Sequence, residues 1–412
     1  MFRHLIVGVF LLIAGTLVAQ EGTTSPYSFY GIGTLKFRGT AESRSMGGLG
    51  VFSDSIHLNL QNPASYSNLR LVNFSMGASH QSNTQKTNEA TQKNSSTTMD
   101  YLAIGIPMGK FGMGFGLLPY TSVGYHFLSD ISDGFTEYKG SGGLNKAFLS
   151  LAYQVTPELS LGVDANYNFG KIENTATTQK KHLQYGNREF NSSELHGFAI
   201  TFGAMYKKMI TEKLELSGSL TYSPGTNFRS DNFRTIETVS IIPAGIYSVD
   251  KRDVEVPNTE FTFPSQLSIG GAISKPKHWA VGAEYTNQQT SNFTNRAFTI
   301  ENVTYKNASK FALGGYYIPN YNSFGSYFKR VVYRGGVRFE QTGLNVDGHD
   351  INEFGISFGL GLPVGRMFSN INLGFEFGKR GTKDFGLIQE NFFNTFLSFS
   401  LNDRWFEKRL YD

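Results

Sequence analysis

The chain has no cysteine. That excludes a disulfide scaffold, an iron–sulfur cluster and any thiolate metal site, and it leaves no residue for a lipoprotein acyl anchor. Charge is sparse as well: charged residues make up 17% of the chain and the formal net charge is +4, so there is no basic footprint for nucleic acid. Beyond the first twenty residues no apolar run approaches the roughly 18 residues that a membrane helix needs. A membrane crossing here would have to be made by strands. Catalytic signatures are lacking too. The eight histidines (His4, His57, His80, His126, His182, His196, His278 and His349) are scattered, and no two have metal-ligand spacing. There is no Gly-x-Ser-x-Gly and no Walker loop. Gly112-Met113-Gly114-Phe115-Gly116 carries its glycines at a period of two, which suits one face of a strand better than a nucleotide loop. Ser122 and His126 lie close together, but a neighbouring pair alone is no triad. The expectation is no enzyme, no cofactor and no metal.

What is present begins at the N-terminus. Arg3 and His4 make a short basic region, Leu5 to Ala14 an apolar one, and Leu17-Val18-Ala19 offers small residues for a cut between Ala19 and Gln20. Residues 1–19 thus read as a cleaved secretory signal, too short and wrongly flanked for a stable membrane helix. The chain also holds 46 Gly, 36 Phe and 21 Tyr against only 12 Pro, while its mean hydropathy is negative. A wall with aromatics outside and small polar residues inside averages to that composition.

Two-residue alternation is the signal such a wall leaves. In residues 159–170, Leu159, Leu161, Val163, Ala165, Tyr167 and Phe169 take one face, and Ser160, Gly162, Asp164, Asn166, Asn168 and Gly170 the other. Residues 370–378 and 214–223 repeat the pattern. The same test predicts fourteen strands near 70–81, 98–107, 111–123, 146–155, 158–170, 194–208, 213–225, 263–274, 278–290, 306–318, 327–341, 350–363, 370–379 and 392–402. Every second connection is short; the others (82–97, 124–145, 171–193, 226–262, 291–305, 342–349 and 380–391) read as long polar loops. Short periplasmic turns alternating with longer extracellular loops describe an all-β, antiparallel transmembrane barrel of a Gram-negative outer membrane, surrounded by outer-membrane lipid. It must close, because no backbone group can go unpaired in hydrocarbon. The barrel would span 70–402, followed by a periplasmic tail at 403–412.

Residues 20–69 do not alternate, yet carry Phe52, Ile56, Leu58 and Leu60 among tight-turn glycines, and so read as an ordered plug in the lumen. Within them the run SMGGLGVFSDSIHLNLQNPASYSNL, residues 45–69, resembles the FadL-type family of outer-membrane proteins. Met46-Gly47-Gly48 and Gly50, with Leu49 where that family usually has alanine, match its glycine stretch; Asn62-Pro63-Ala64 matches its second motif. The resemblance implies a fourteen-stranded barrel closed by an N-terminal hatch, acting as a channel for hydrophobic molecules such as long-chain fatty acids or aromatic hydrocarbons. It also implies a kinked third strand that opens the wall sideways into the membrane.

Pro119 interrupts the third predicted strand and removes one ladder hydrogen bond. Pro119, Tyr120 and Thr121 are therefore the expected lateral opening, against the plug near Asn62; the plainer alternative is that Pro119 only ends the strand. Inward positions carry Asp164, Glu215, Glu284, Arg334, Arg338, Glu340 and Glu376, a polar lumen in which Arg334 and Arg338 are expected to bridge to Glu340 or Glu376. A hydrophobic ligand would then bind high, among Phe127, Phe135 and Tyr138 of one loop and Ile241, Ile242 and Tyr247 of another, unless these only pack loop on loop. Two functions follow. The first is passive uptake of a hydrophobic small molecule with lateral release. The second is a non-transporting barrel subunit of a larger outer-membrane secretion or protein-assembly complex, with protein partners. The hatch motif and Pro119 favour the first, and the polar lumen the second.

Overall fold

The computed structural model describes residues 22–292, 302–364 and 369–405. The expected signal at 1–19 and residues 406–412 of the expected tail lie outside them. Fourteen antiparallel strands form the wall: β1 (Val72–Lys86), β2 (Thr91–Met108), β3 (Phe111–Pro119 and Thr121–Ile131), β4 (Gly134–Gln154), β5 (Leu159–Lys180), β6 (Gly186–Met209), β7 (Glu215–Ser223 and Thr226–Ile242), β8 (Gly245–Val254, Thr259–Phe263 and Gln266–Lys275), β9 (Trp279–Gln288), β10 (Val303–Tyr305 and Ala308–Tyr317), β11 (Val332–Val346), β12 (His349–Val364), β13 (Ser369–Arg380) and β14 (Gln389–Asp403). Each pairs with its sequence neighbours, and β1 closes the ring on β14 from Val72↔Asp403 to Lys86↔Gln389. A closed ring leaves no edge in the hydrocarbon, where each unpaired group costs several kcal/mol.

The alternation read from the sequence is the alternation of the wall. Leu161, Val163 and Phe377 are exposed on the outside, while Ser160, Asp164, Asn372 and Glu376 are buried within. Aromatic rings mark both rims of the apolar band: Phe111 and Tyr153 lie 4.6 Å apart at one end, Tyr167 and Phe198 4.8 Å apart at the other.

The connections depart from expectation. Five of the long loops are mostly strand: 82–97, 124–145, 171–193, 226–262 and 342–349 become paired extensions of β1–β2, β3–β4, β5–β6, β7–β8 and β11–β12, closed by tight turns such as 132–133 and 243–244. Phe127, Phe135, Tyr138, Ile241, Ile242 and Tyr247 thus stand on strands and not in loops. The physical reason is solvent. Strands need roughly 9–11 residues to cross the bilayer; beyond it the two faces no longer differ in solvent, so alternation fades while backbone pairing continues. A second departure is at 327–331, expected to open the eleventh strand. Tyr327–Lys329 forms a 3₁₀ turn there, and β11 starts only at Val332.

The plug comprises 3₁₀ turns at Pro26–Phe29 and Pro63–Asn68, a two-residue strand at Thr34–Leu35 and one helical turn at Ala41–Arg44. Its buried residues build the core with the inward faces of the wall. Leu58, Tyr66 and Leu69 pack with Tyr101, Leu118 and Phe148, and Met46, Leu49 and Val51 with Ala272 and Ala312.

Candidate functional site: the plugged lumen and the break in its wall

Asn62 fixes the base of the plug. Its Oδ1 accepts from Ala64 N at 3.0 Å, capping the 3₁₀ turn that Pro63 starts, and its Nδ2 donates to Ala204 O at 3.1 Å on β6 and to Leu220 O at 3.4 Å on β7. Gly47 and Gly48 adopt φ of +74° and +85°, which favours glycine. Gly47 N donates to Ser357 Oγ at 2.9 Å and Gly50 N to Glu284 Oε2 at 2.8 Å. The wall is cut to receive these turns. A Cβ on Gly114 would collide with the Tyr66 ring, and one on Gly336 with the Met46–Gly47 backbone. The period-two glycines at 112, 114 and 116 were legible as one inward face, but their partner was not.

Charges link plug and wall in one buried chain. Arg44 Nε of the plug helix meets Glu376 Oε2 at 3.1 Å; Glu376 Oε1 meets Arg338 at 2.9 Å; Arg338 also meets Glu353; Glu353 Oε2 takes Arg380 Nε at 2.6 Å; and Arg380 reaches Glu390 at 3.6 Å. Glu390 then accepts from Ser25 Oγ of the plug at 2.8 Å. The ladder is thus tied to the plug at both ends. The expected Arg338–Glu376 contact is present. The expected bridge from Arg334 is not: it donates to Asn372 Oδ1 at 2.9 Å, because it stands nearer the start of β11, level with Asn372 rather than with Glu376. Glu340 makes no ion pair among the described residues. Glu353, Arg380, Glu390 and Arg44 are members that alternation alone did not single out.

The wall is interrupted at Tyr120. Pairing of β2 with β3 ends at Leu102↔Leu117, and above that point β2 pairs only with β1. β3 keeps β4 as its other neighbour, up to Pro119↔Asn145 and again from Val123↔Gly142. The free side of β3 is taken by the plug: Thr34 and Leu35 pair with Ser122 and Thr121, and Lys36 N donates to Tyr120 O at 3.0 Å. Pro119 is half-buried, and Tyr120 and Thr121 are buried. Asn62, expected at this break, stands elsewhere, because its Nδ2 ties it to β6 and β7. Burial pushes the Lys36 ammonium down to about 8, and its Nζ donates to Gly22 O.

An apolar cavity of about 130 Å³ lies at the loop end, lined by Tyr30, Ile32, Leu35, Phe263, Leu344 and Ile351. It shares Thr34, Leu35, Glu340 and Arg380 with a polar cavity of about 220 Å³ inside the lumen. None of the six aromatic and aliphatic residues singled out at the loop end lines the apolar cavity. Phe127 and Tyr138 pack with Phe29 in the cluster that roofs the lumen, with ring centroids 5.7 and 6.0 Å from it. Phe135 and Ile241 are half-buried, while Ile242 and Tyr247 are exposed at the tip of the β7–β8 hairpin. The cavity's own residues Tyr30, Ile32 and Leu35 sit in the stretch that had been read only as plug.

The model of one protein family, BamG, matches residues 1–412. The chain belongs to the BamG family. No curated protein sequence matches it. Solved structures share the fold of this BamG-family barrel at low identity. The toluene transporter TbuX of Ralstonia pickettii is 16% identical, with a TM-score of 0.57 over 89% of this chain and 99% of its own. The toluene transporter TodX of Pseudomonas putida is 15% identical, with a TM-score of 0.55 over 89% and 98%. A FadL homologue of Pseudomonas aeruginosa is 10% identical, with a TM-score of 0.55 over 90% and 98%. The resemblance read from residues 45–69 therefore holds for the fold, while the family named by the full-length match is a different one.

Proposed function

We propose that this BamG-family barrel is an exported, non-catalytic protein of a Gram-negative outer membrane that takes up a hydrophobic small molecule and releases it sideways past Pro119, Tyr120 and Thr121. One observation carries the reading: Thr34 and Leu35 line the apolar cavity and are also the residues that fill the break beside β3. A molecule in that cavity needs only a small shift of this plug strand to reach the outer leaflet. Two proteins of this fold, TbuX and TodX, are toluene transporters, which fits the tyrosine, phenylalanine and aliphatic side chains in the cavity's lining. Export with a cut between Ala19 and Gln20 belongs to this reading.

A second reading, a non-transporting subunit of a larger outer-membrane secretion or assembly complex, is favoured by the buried ladder that pins the plug at Arg44 and Ser25 and by a family match that differs from the transporters. Purification from native membrane in mild detergent, followed by native mass spectrometry, separates the two. Uptake predicts a lone barrel carrying hydrophobic small molecules. Stoichiometric co-purifying proteins with an empty apolar cavity would overturn it in favour of the subunit.

A further inference from the structure

At the end of the barrel where β1 starts and β14 finishes, the connections 109–110, 155–158, 210–214 and 276–278 are short, but the one at 318–331 is much longer. It folds back on itself, Asn320 N donating to Lys329 O at 2.8 Å. It is also pinned to the outside of the wall. Tyr333, in the outward row of β11, donates its OH to Phe328 O at 3.2 Å, and Tyr327 OH donates to Pro363 O at 3.2 Å. Phe328 is 72% exposed beside outward-facing Tyr317 and Tyr333, so its ring continues the lipid-facing surface. The segments 275–279 and 318–331 carry Lys275, Lys277, Lys329 and Arg330 and no carboxylate; Lys277 and Arg330 also line the cavity at the lumen mouth with Glu42, Asp54 and Glu215, of which Asp54 is already held by His57. Lys277 lies 5.4 Å from the Tyr321 ring centroid and the Arg330 guanidinium carbon 5.6 Å from that of Tyr327, contacts that hold both cations at the rim.

We propose that this rim binds the phosphodiester headgroup of an anionic phospholipid in the inner leaflet. Lys277, Lys329 and Arg330 meet its charge, and Phe328, Tyr317 and Tyr333 meet the glycerol and upper acyl region. Two features select lipid over a protein partner. The pinned face is continuous with the wall that hydrocarbon covers, and its excess of positive charge matches that of interfacial segments drawn to anionic lipid.

The test uses the two tryptophans. Trp279 faces outward and pairs with Tyr317 beside this rim, and the other tryptophan is Trp405. In a Trp405→Phe background, Trp279 fluorescence is recorded in nanodiscs of phosphatidylcholine with phosphatidylglycerol, one or the other brominated. Brominated phosphatidylglycerol is expected to quench severalfold more than brominated phosphatidylcholine at equal mole fraction. That excess should vanish in Lys277→Gln/Lys329→Gln/Arg330→Gln, with heat-modifiable gel migration showing that the variant barrel still folds. Equal quenching by both lipids in the parent, an unchanged excess in the variant, or quenching by neither lipid because a protein covers the rim would each overturn the proposal.

Discussion

At the periplasmic mouth of the lumen His57 stands between two partners. Its Nδ1 meets Asp54 Oδ2 at 2.6 Å and its Nε2 lies 3.1 Å from Asn370 Nδ2. Burial pulls the imidazole pKa down, but the Asp54 carboxylate and its hydrogen bond outweigh that and hold it above the ordinary 6.5. Asp54 is opposed by burial in the same way and is held well below the carboxylate range by His57 and by the Ile56 and His57 amides. The signs give a window. The histidine's contribution is whole below its ordinary value and is lost as pH rises through the raised one; the carboxylate's is whole above its ordinary value and is lost only in strong acid. With Asp54 half exposed, the pair contributes about 0.5–1 kcal/mol. In Asp54→Asn, NMR titration of His57 should show its pKa falling back toward or below 6.5, and the stability lost by the parent between mildly acidic and alkaline pH should shrink. An unchanged His57 titration would rule the pairing out. Neither residue stood out in the sequence, because their proximity comes from a turn in a segment without period.

Among the elements, the ladder across β11–β14 is legible residue by residue and illegible as a chain. Alternation puts Arg338 and Glu376 inside, but only the registers Arg338↔Gly355 and Gly355↔Gly378 decide which carboxylates they reach. Arg338→Ala leaves Glu353 and Glu376 short of a partner in a buried site and should cost about 3–5 kcal/mol, read from denaturant unfolding in micelles. Arg338→Met combined with Glu376→Gln should recover much of that loss, since one charge of each sign leaves the ladder while Glu353 keeps Arg380 and Arg44 keeps Asp100. The plug strand offers a second test. The chain lacks cysteine, so Leu35→Cys with Thr121→Cys, which are register partners, can be oxidised cleanly. Oxidation should stop transfer of a hydrophobic probe into the membrane, and reduction should restore it. Transfer that continues in the cross-linked protein would exclude the break beside β3 as the exit.

For the whole molecule, the wall is longer than the membrane requires. β5 runs from Leu159 to Lys180 and β6 from Gly186 to Met209, about twice the crossing length, so the upper half of this side stands in water. The tip of the β7–β8 hairpin beyond Val239 pairs only within itself and exposes Ile242 and Tyr247. Excision of 240–247 with a two-residue turn joining the partners Val239 and Ser248 should leave assembly and heat-modifiable migration unchanged; a variant that no longer closes would show that the hairpin tip belongs to the core. The sequence by itself determined the class, the strand number, the faces of the wall and the existence of a plug, because bilayer and aqueous lumen impose a period of two on every crossing strand. It did not determine how far the strands run beyond the bilayer, which carboxylate meets which arginine, or that Thr34–Leu35 rather than Asn62 fills the break beside β3. Those depend on register and on contacts between residues far apart in the chain, and only the closed tertiary structure decides them.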